Sequence, residues 1–176
     1  AEATSENLLK EIPNYEVIHL ASHASADAND GRMSYLVLNR EKDDISSPLY
    51  AVELSEQELN AEMVVLSACE TGSGSDHLSE GTLGLTHAFT AAGARSVVSS
   101  RWSVDDAATA ELMSYFYTHI HEGLEKDESL RLAQRDYRFQ HAGTYRAHPY
   151  YWSAFVFSGN TGSITFQSSA GKLPVK

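Results

Sequence analysis

Cysteine is almost missing from this sequence: Cys69 stands alone in 176 residues, so no internal disulfide can form and no CxxC motif exists. A lone cysteine is either a small buried hydrophobe or a reactive thiol, and count by itself favours the first. Basic residues are scarce too. Lys and Arg total 13 against 24 Asp and Glu, a net charge of −11. That balance argues against nucleic acid or an anionic membrane as partner, because both need basic surface. No apolar run approaches the ~20 residues of a membrane helix, and the opening AEATSENLLKEIPN lacks the basic-then-apolar character of a secretory signal. A cytoplasmic protein is expected. The chain does not begin with Met and reads as a processed or excised piece of something longer.

Several catalytic signatures are absent as well. GSGSDHLSEG has the glycines of a phosphate loop but no GK[ST] ending, and its acidic residues would repel phosphate. No GxSxG elbow surrounds Ser67 or Ser73. His19 and His23 form HxxxH, but on a strand that step spans roughly 13 Å, too far to share a metal, and no HExxH exists. His119 and His121 lie on one helix, point to different sides and read as solvated or core-edge residues. Neither metal nor cofactor is expected.

What is present is a composition of 42% hydrophobic and 21% charged residues, that of an ordinary globular domain with one core. A short helical run, Ser5 to Lys10, precedes the strand-like YEVIHL. SYLVLN and PLYAVEL alternate and suggest a hairpin with a long tip, REKDDISS. Ser55 and Glu58 make a capping box that predicts a helical turn over SEQELNA. MVVLSA is apolar enough for a strand buried on both faces. TGSGSDHLSEG reads as a loop, TLGLTHAFTAAG as a helix closing on Gly93, and ARSVVSS as a second buried strand. Two longer helices follow, VDDAATAELMSYFYTHIHEGL and ESLRLAQRDYRFQHA, then a strand within HPYYWSAFVFSG and a frayed tail. Strands alternating with helices predict an α/β fold with a mostly parallel sheet covered on both faces.

In such a sheet, chemistry gathers beyond the carboxyl ends of the strands. The residues there are Ser22, His23 and Ala24; Ala68, Cys69 and Glu70; and Arg101 and Trp102. A thiol near pKa 8.5 is mostly protonated at neutral pH and needs a base, which an imidazole supplies. The attack builds an oxyanion that backbone N–H groups can hold. If their strands are neighbours, His23 and Cys69 share one rim.

VVLSACETGSG, EGTLGLTHAFTAAGARSVVSSRWSVDDAATAELM and HPYYWSAFVFSG, in that order, closely resemble the CHAT domain family of caspase-like peptidases. Its members are commonly attached to tetratricopeptide repeats in bacterial proteins. HLASHA resembles the family's histidine segment, H-x-x-[TSC]-H-G. The resemblance runs from about Ala3 to Ile164, leaving 165–176 as a tail. It implies a caspase-haemoglobinase fold, a three-layer sandwich, and a catalytic dyad of Cys69 and His23. It also implies an oxyanion hole from the N–H groups of Cys69 and Ala24. Ser67, Ser100 and Trp102 would wall the substrate pocket. Asp105 and Asp106 could read a basic side chain or simply cap a helix, and both readings stay open. The expected partner is one dedicated protein substrate, with a repeat or sensor region elsewhere in the full-length protein controlling activity; a catalytically silent interaction module is the alternative. Two departures stand out: Ala24 replaces the family's Gly, and members carry a further strand and helix ahead of the segment that begins here, so the N-terminal strand is expected to be missing.

Overall fold

The computed structural model describes residues 4–25, 27, 30–38, 48–67, 69–70, 78–103 and 105–166, with the backbone alone at 69–70 and 78–82. Its centre is a four-stranded sheet in the order β1 (Val17–Leu20), β5 (Met63–Leu66), β7 (Ser96–Ser100), β8 (Phe155–Gly159), while β4 (Leu49–Tyr50) lies in a second sheet. Within this main sheet β1, β5 and β7 run parallel and β8 is antiparallel to β7. β5 is buried along its whole length, as a strand covered on both faces must be. Val64 and Leu66 face one apolar cluster, with Leu85 and Phe89 of α3 (Leu78–Ala91). Met63 and Val65 face another, with Leu112 and Phe116 of α4 (Asp106–His121) and Leu130 and Ala133 of α5 (Lys126–Gln140). The three-layer α/β arrangement expected from the sequence is therefore the one observed.

Helix ends follow the sequence signals. Asp105 caps α4, accepting the N–H of Ala108 at 3.0 Å. α3 closes at Gly93, whose φ of +111° is one that other residues rarely adopt. The Ala94 N–H reaches back to the Phe89 carbonyl at 2.9 Å, the bond that satisfies a helix's last carbonyls.

Three expectations fail. PLYAVEL is not one strand: β4 ends at Tyr50 and Ala51–Ser55 form α2. Glu53 accepts the Tyr50 N–H at 2.9 Å, so the helix starts a turn before the Ser55–Glu58 signal, and Ala51 and Leu54 are its buried face. SEQELNA accordingly does not start a helix. Leu78–Gly81, read as loop, belongs to α3; residues 71–77, the tip at 39–47 and the tail from 167 lie outside the described residues.

The expected hairpin is present as β3 (Tyr35–Val37) antiparallel to β4, but its extension into a second, smaller sheet was not foreseen. That sheet has the order β4, β3, β2 (His23–Ser25), β6 (Cys69–Glu70), with β2 and β6 parallel. α1 (Ser5–Glu11) precedes β1, capped by the Thr4 hydroxyl.

Candidate active site

The two sheets are linked by the same pair of chain segments. β1 leads through Ala21 and Ser22 into β2, while β5 leads through Ser67 and one further residue into β6. Leu20 pairs with Leu66, and His23 pairs with Cys69. Both pairs are 46 residues apart, so the ladder breaks and resumes without changing register. The bend thus carries His23 and Cys69 as opposite backbone positions past the carboxyl end of the main sheet. Neighbouring strands lie about 4.8 Å apart.

His23 is exposed, and its side chain makes no hydrogen bond or ion pair with another described residue. Its approach is fixed from behind: the Ser22 hydroxyl donates to the Val37 carbonyl, and Val37 is the β3 partner of His23. Ala24 is 2% exposed and sits inside β2 between Leu36 and Glu70. Strand backbone is extended, a conformation alanine adopts freely, so the family's glycine is not needed there for a left-handed turn. β6 is the edge of the small sheet as described, whereas β2 is flanked on both sides.

Of the expected pocket residues, Ser67 and Ser100 each follow the last position at which their strands pair with one another. Ser100 lies one step past the Leu66–Ser99 pair, as Ser67 does on β5. Ser100 is buried. Trp102 is half-buried, its indole N–H donating to the Tyr150 carbonyl at 3.0 Å. The Tyr150 hydroxyl in turn donates to the Ser103 carbonyl at 2.7 Å. Asp105 is engaged by its own helix and lies 3.6 Å from the Arg146 guanidinium. Asp106 is exposed in the first turn of α4.

Two residues at this end of the sheet escaped the sequence reading. His19 Nε2 lies 2.6 Å from Ser67 Oγ, and the Tyr117 hydroxyl lies 3.0 Å from His19 Nδ1. His19 keeps exposed surface on β1, but partial desolvation lowers its pKa, and burial pushes Tyr117 up to about 12, so both are neutral at pH 7. His19 had entered only as half of HxxxH. Its period-two relation to Val17, which faces the α4–α5 cluster, was the signal that placed it under α4. Tyr117 is 98 residues away and carried no such signal. His119, by contrast, is bound to Asp136 at 2.9 Å and Glu122 at 3.2 Å, a link between α4 and α5. Among the described residues no group of three His, Cys, Asp or Glu could hold a metal ion, and no helix is long and apolar enough to cross a membrane.

Comparison with known proteins adds family and context. Tetratricopeptide repeat protein 28 from mouse is 26% identical over 204 residues, covering 95% of this chain and 8% of the mouse protein. The human protein of that name matches at the same identity and the same coverage. The chain thus spans about 8% of the length of these curated relatives. The CHAT domain profile matches residues 1–160, nearly the whole of a caspase-like α/β fold whose bend sets a histidine opposite its lone cysteine, and the chain belongs to the CHAT domain family.

Proposed function

We propose that this domain is a cysteine endopeptidase in which Cys69 is the nucleophile and His23 the general base. The single observation that carries the reading is the register pair His23–Cys69, held by a ladder that resumes in phase after the bend. Residues opposite one another in a ladder share a face of the sheet, which is where an imidazole must be to take a thiol proton. The thiolate would attack a peptide carbonyl, and His23 would return the proton to the leaving amine. Water then hydrolyses the thioester. The oxyanion would be held by the N–H of Cys69 with that of Ala24. Ser67, Ser100 and Trp102 would wall the pocket for the side chain ahead of the scissile bond.

The relatives are named as tetratricopeptide repeat proteins and are far longer than this chain. That supports a repeat region in the full-length protein, which would present one protein substrate and control cleavage. A thiol-reactive peptidyl probe tests the chemistry. Cys69 should be labelled in the wild type, Cys69→Ala should lose the label, and His23→Ala should slow labelling by about 100-fold or more. Labelling at the same rate in His23→Ala would remove His23 from the dyad.

A further inference from the structure

A polar chain built from three separate elements ends two residues before Cys69 and has no part in the dyad. Tyr117 on α4 contacts His19 on β1, and His19 contacts Ser67 at the end of β5, at 3.0 and 2.6 Å. The two rings lie 5.6 Å apart between centroids. Resting on the peptidase reading above, we propose that Tyr117 and His19 fix the Ser67 hydroxyl as a hydrogen-bond donor toward substrate, so that the site selects an acceptor-bearing side chain, carboxylate or carboxamide, ahead of the scissile bond.

The direction of the chain follows from its end groups. A neutral imidazole has one N–H and one lone pair. Of the possible donors to that lone pair, the phenol is the most acidic, with an ordinary pKa near 10, and makes the stronger bond. Burial keeps Tyr117 a phenol and His19 neutral. With Tyr117 donating to Nδ1, the ring proton sits on Nε2 and is given to Ser67 Oγ. Ser67 then cannot donate back to His19, and its own proton turns outward. The same arrangement excludes Ser67 as a second nucleophile. Its neighbouring nitrogen is protonated and so is no base, and its backbone N–H is taken by the Leu20 carbonyl at 3.1 Å.

The rim around this hydroxyl has a matching polarity. Arg101, two residues past Ser99, is exposed and forms no ion pair with a described residue. The carboxylate of Asp105, which could have received a lysine or arginine, already accepts the Ala108 N–H on Oδ1 and has Arg146 at 3.6 Å from that oxygen. Among the described residues Arg101 stands without a counter-charge, while of the two carboxylates at the start of α4 Asp105 has partners and Asp106 is exposed.

Nitrogen-15 spectra of the histidine-labelled chain, assigned with His19→Gln, report which ring nitrogen holds the proton and need no turnover. The expected result is the Nε2–H tautomer in the wild type and a mixture in Tyr117→Phe. An Nδ1–H tautomer, or no change in Tyr117→Phe, overturns the relay. Cys69 labelling is then compared for peptidyl acyloxymethyl ketones carrying Asp, Asn or Lys at the recognised position. Asp and Asn probes should label about tenfold faster than Lys, in keeping with a hydrogen bond to a polar acceptor. Ser67→Ala should remove most of that ratio, and Ser67→Thr, which keeps the hydroxyl, should restore it. Equal rates for all three probes, or a Lys preference, overturn the selectivity while leaving the peptidase reading intact. Labelling by none of them defeats both the selectivity and the peptidase reading.

Discussion

The 2.6 Å contact between His19 Nε2 and Ser67 Oγ joins the edge strand of the main sheet to the strand that leads into Cys69. It ties together the two segments that bend side by side into the small sheet. A neutral imidazole is the form that suits this position, since Tyr117 covers its other nitrogen.

Acid should therefore weaken this joint. The unfolded imidazole titrates near its ordinary 6.5 and the folded one lower, because burial disfavours the cation. The unfolded state takes up the proton first, so the stability from His19 is fully present above that ordinary value. It is lost as pH falls through it toward the folded pKa. Urea midpoints measured at about pH 7.5 and about pH 5.5 should fall further for the wild type than for His19→Gln. A parallel fall in both proteins would show that other groups carry the acid sensitivity.

Lys126 presents the opposite situation, a charge under almost complete cover. It is 0% exposed, donates to the Glu62 carbonyl at 3.2 Å and lies 3.7 Å from the Glu62 carboxylate. Burial lowers its pKa while Glu62 works against that shift. Removing one partner of a buried ion pair is costly when it strands a buried charge. Glu62, however, is partly exposed and keeps Arg95 at 2.6 Å, so Lys126→Met, which retains the apolar stem, should stay within about 2 kcal/mol of the wild type. Lys126→Ala removes the packed stem as well and should cost about 2–5 kcal/mol. Chemical denaturation of the two variants should give that order; a loss for Met as large as that for Ala would mean that the ammonium, not the stem, carries the stability.

Most of the layered fold was legible because its signals are local. The fully apolar run at Met63–Leu66, the Asp105 cap and the glycine at the end of α3 each declare an element within a few residues. α2 was misplaced by about one turn because two overlapping acidic caps compete, and burial of Ala51 and Leu54 decided for Glu53. The β3–β4 hairpin was legible from its alternation, but its joining to β2 and β6 was not, since strands of two or three residues carry no period. His19 and Tyr117 are joined only by packing of α4 on β1, which no spacing announces.

Gly84 marks where α3 meets the segment after β2. A Cβ built there would overlap the Gly31 carbonyl and lie 2.9 Å from Gly31 Cα, both backbone atoms that cannot swing away. Gly84→Ala should therefore lower stability by about 1–3 kcal/mol despite alanine's better helix propensity. Calorimetry would show a fall of roughly 2–10 °C in a domain of this size. A Tm at or above the wild-type value would mean that α3 and Gly31 can move apart at no cost. Gly31→Ala, whose Cβ meets Gly84 Cα at 3.2 Å, should be milder.

The strand end at Ser100–Ser103 is held by two bonds of opposite direction to one residue. Trp102 donates to the Tyr150 carbonyl and Tyr150 donates to the Ser103 carbonyl, at 3.0 and 2.7 Å. Tyr150→Phe deletes only the second bond, and Tyr150 is exposed enough for water to take its place at Ser103. Overall stability should change by less than about 1 kcal/mol. If this strand end walls the substrate pocket, the loosened wall should raise KM for a cleaved peptide by about 2- to 12-fold, the equivalent of one neutral hydrogen bond. The kcat should hold, because the bond orders a binding surface and touches no reacting atom. A fall in kcat at unchanged KM would place Tyr150 in the chemical step, and no change in either would take the Ser100–Ser103 segment out of the pocket.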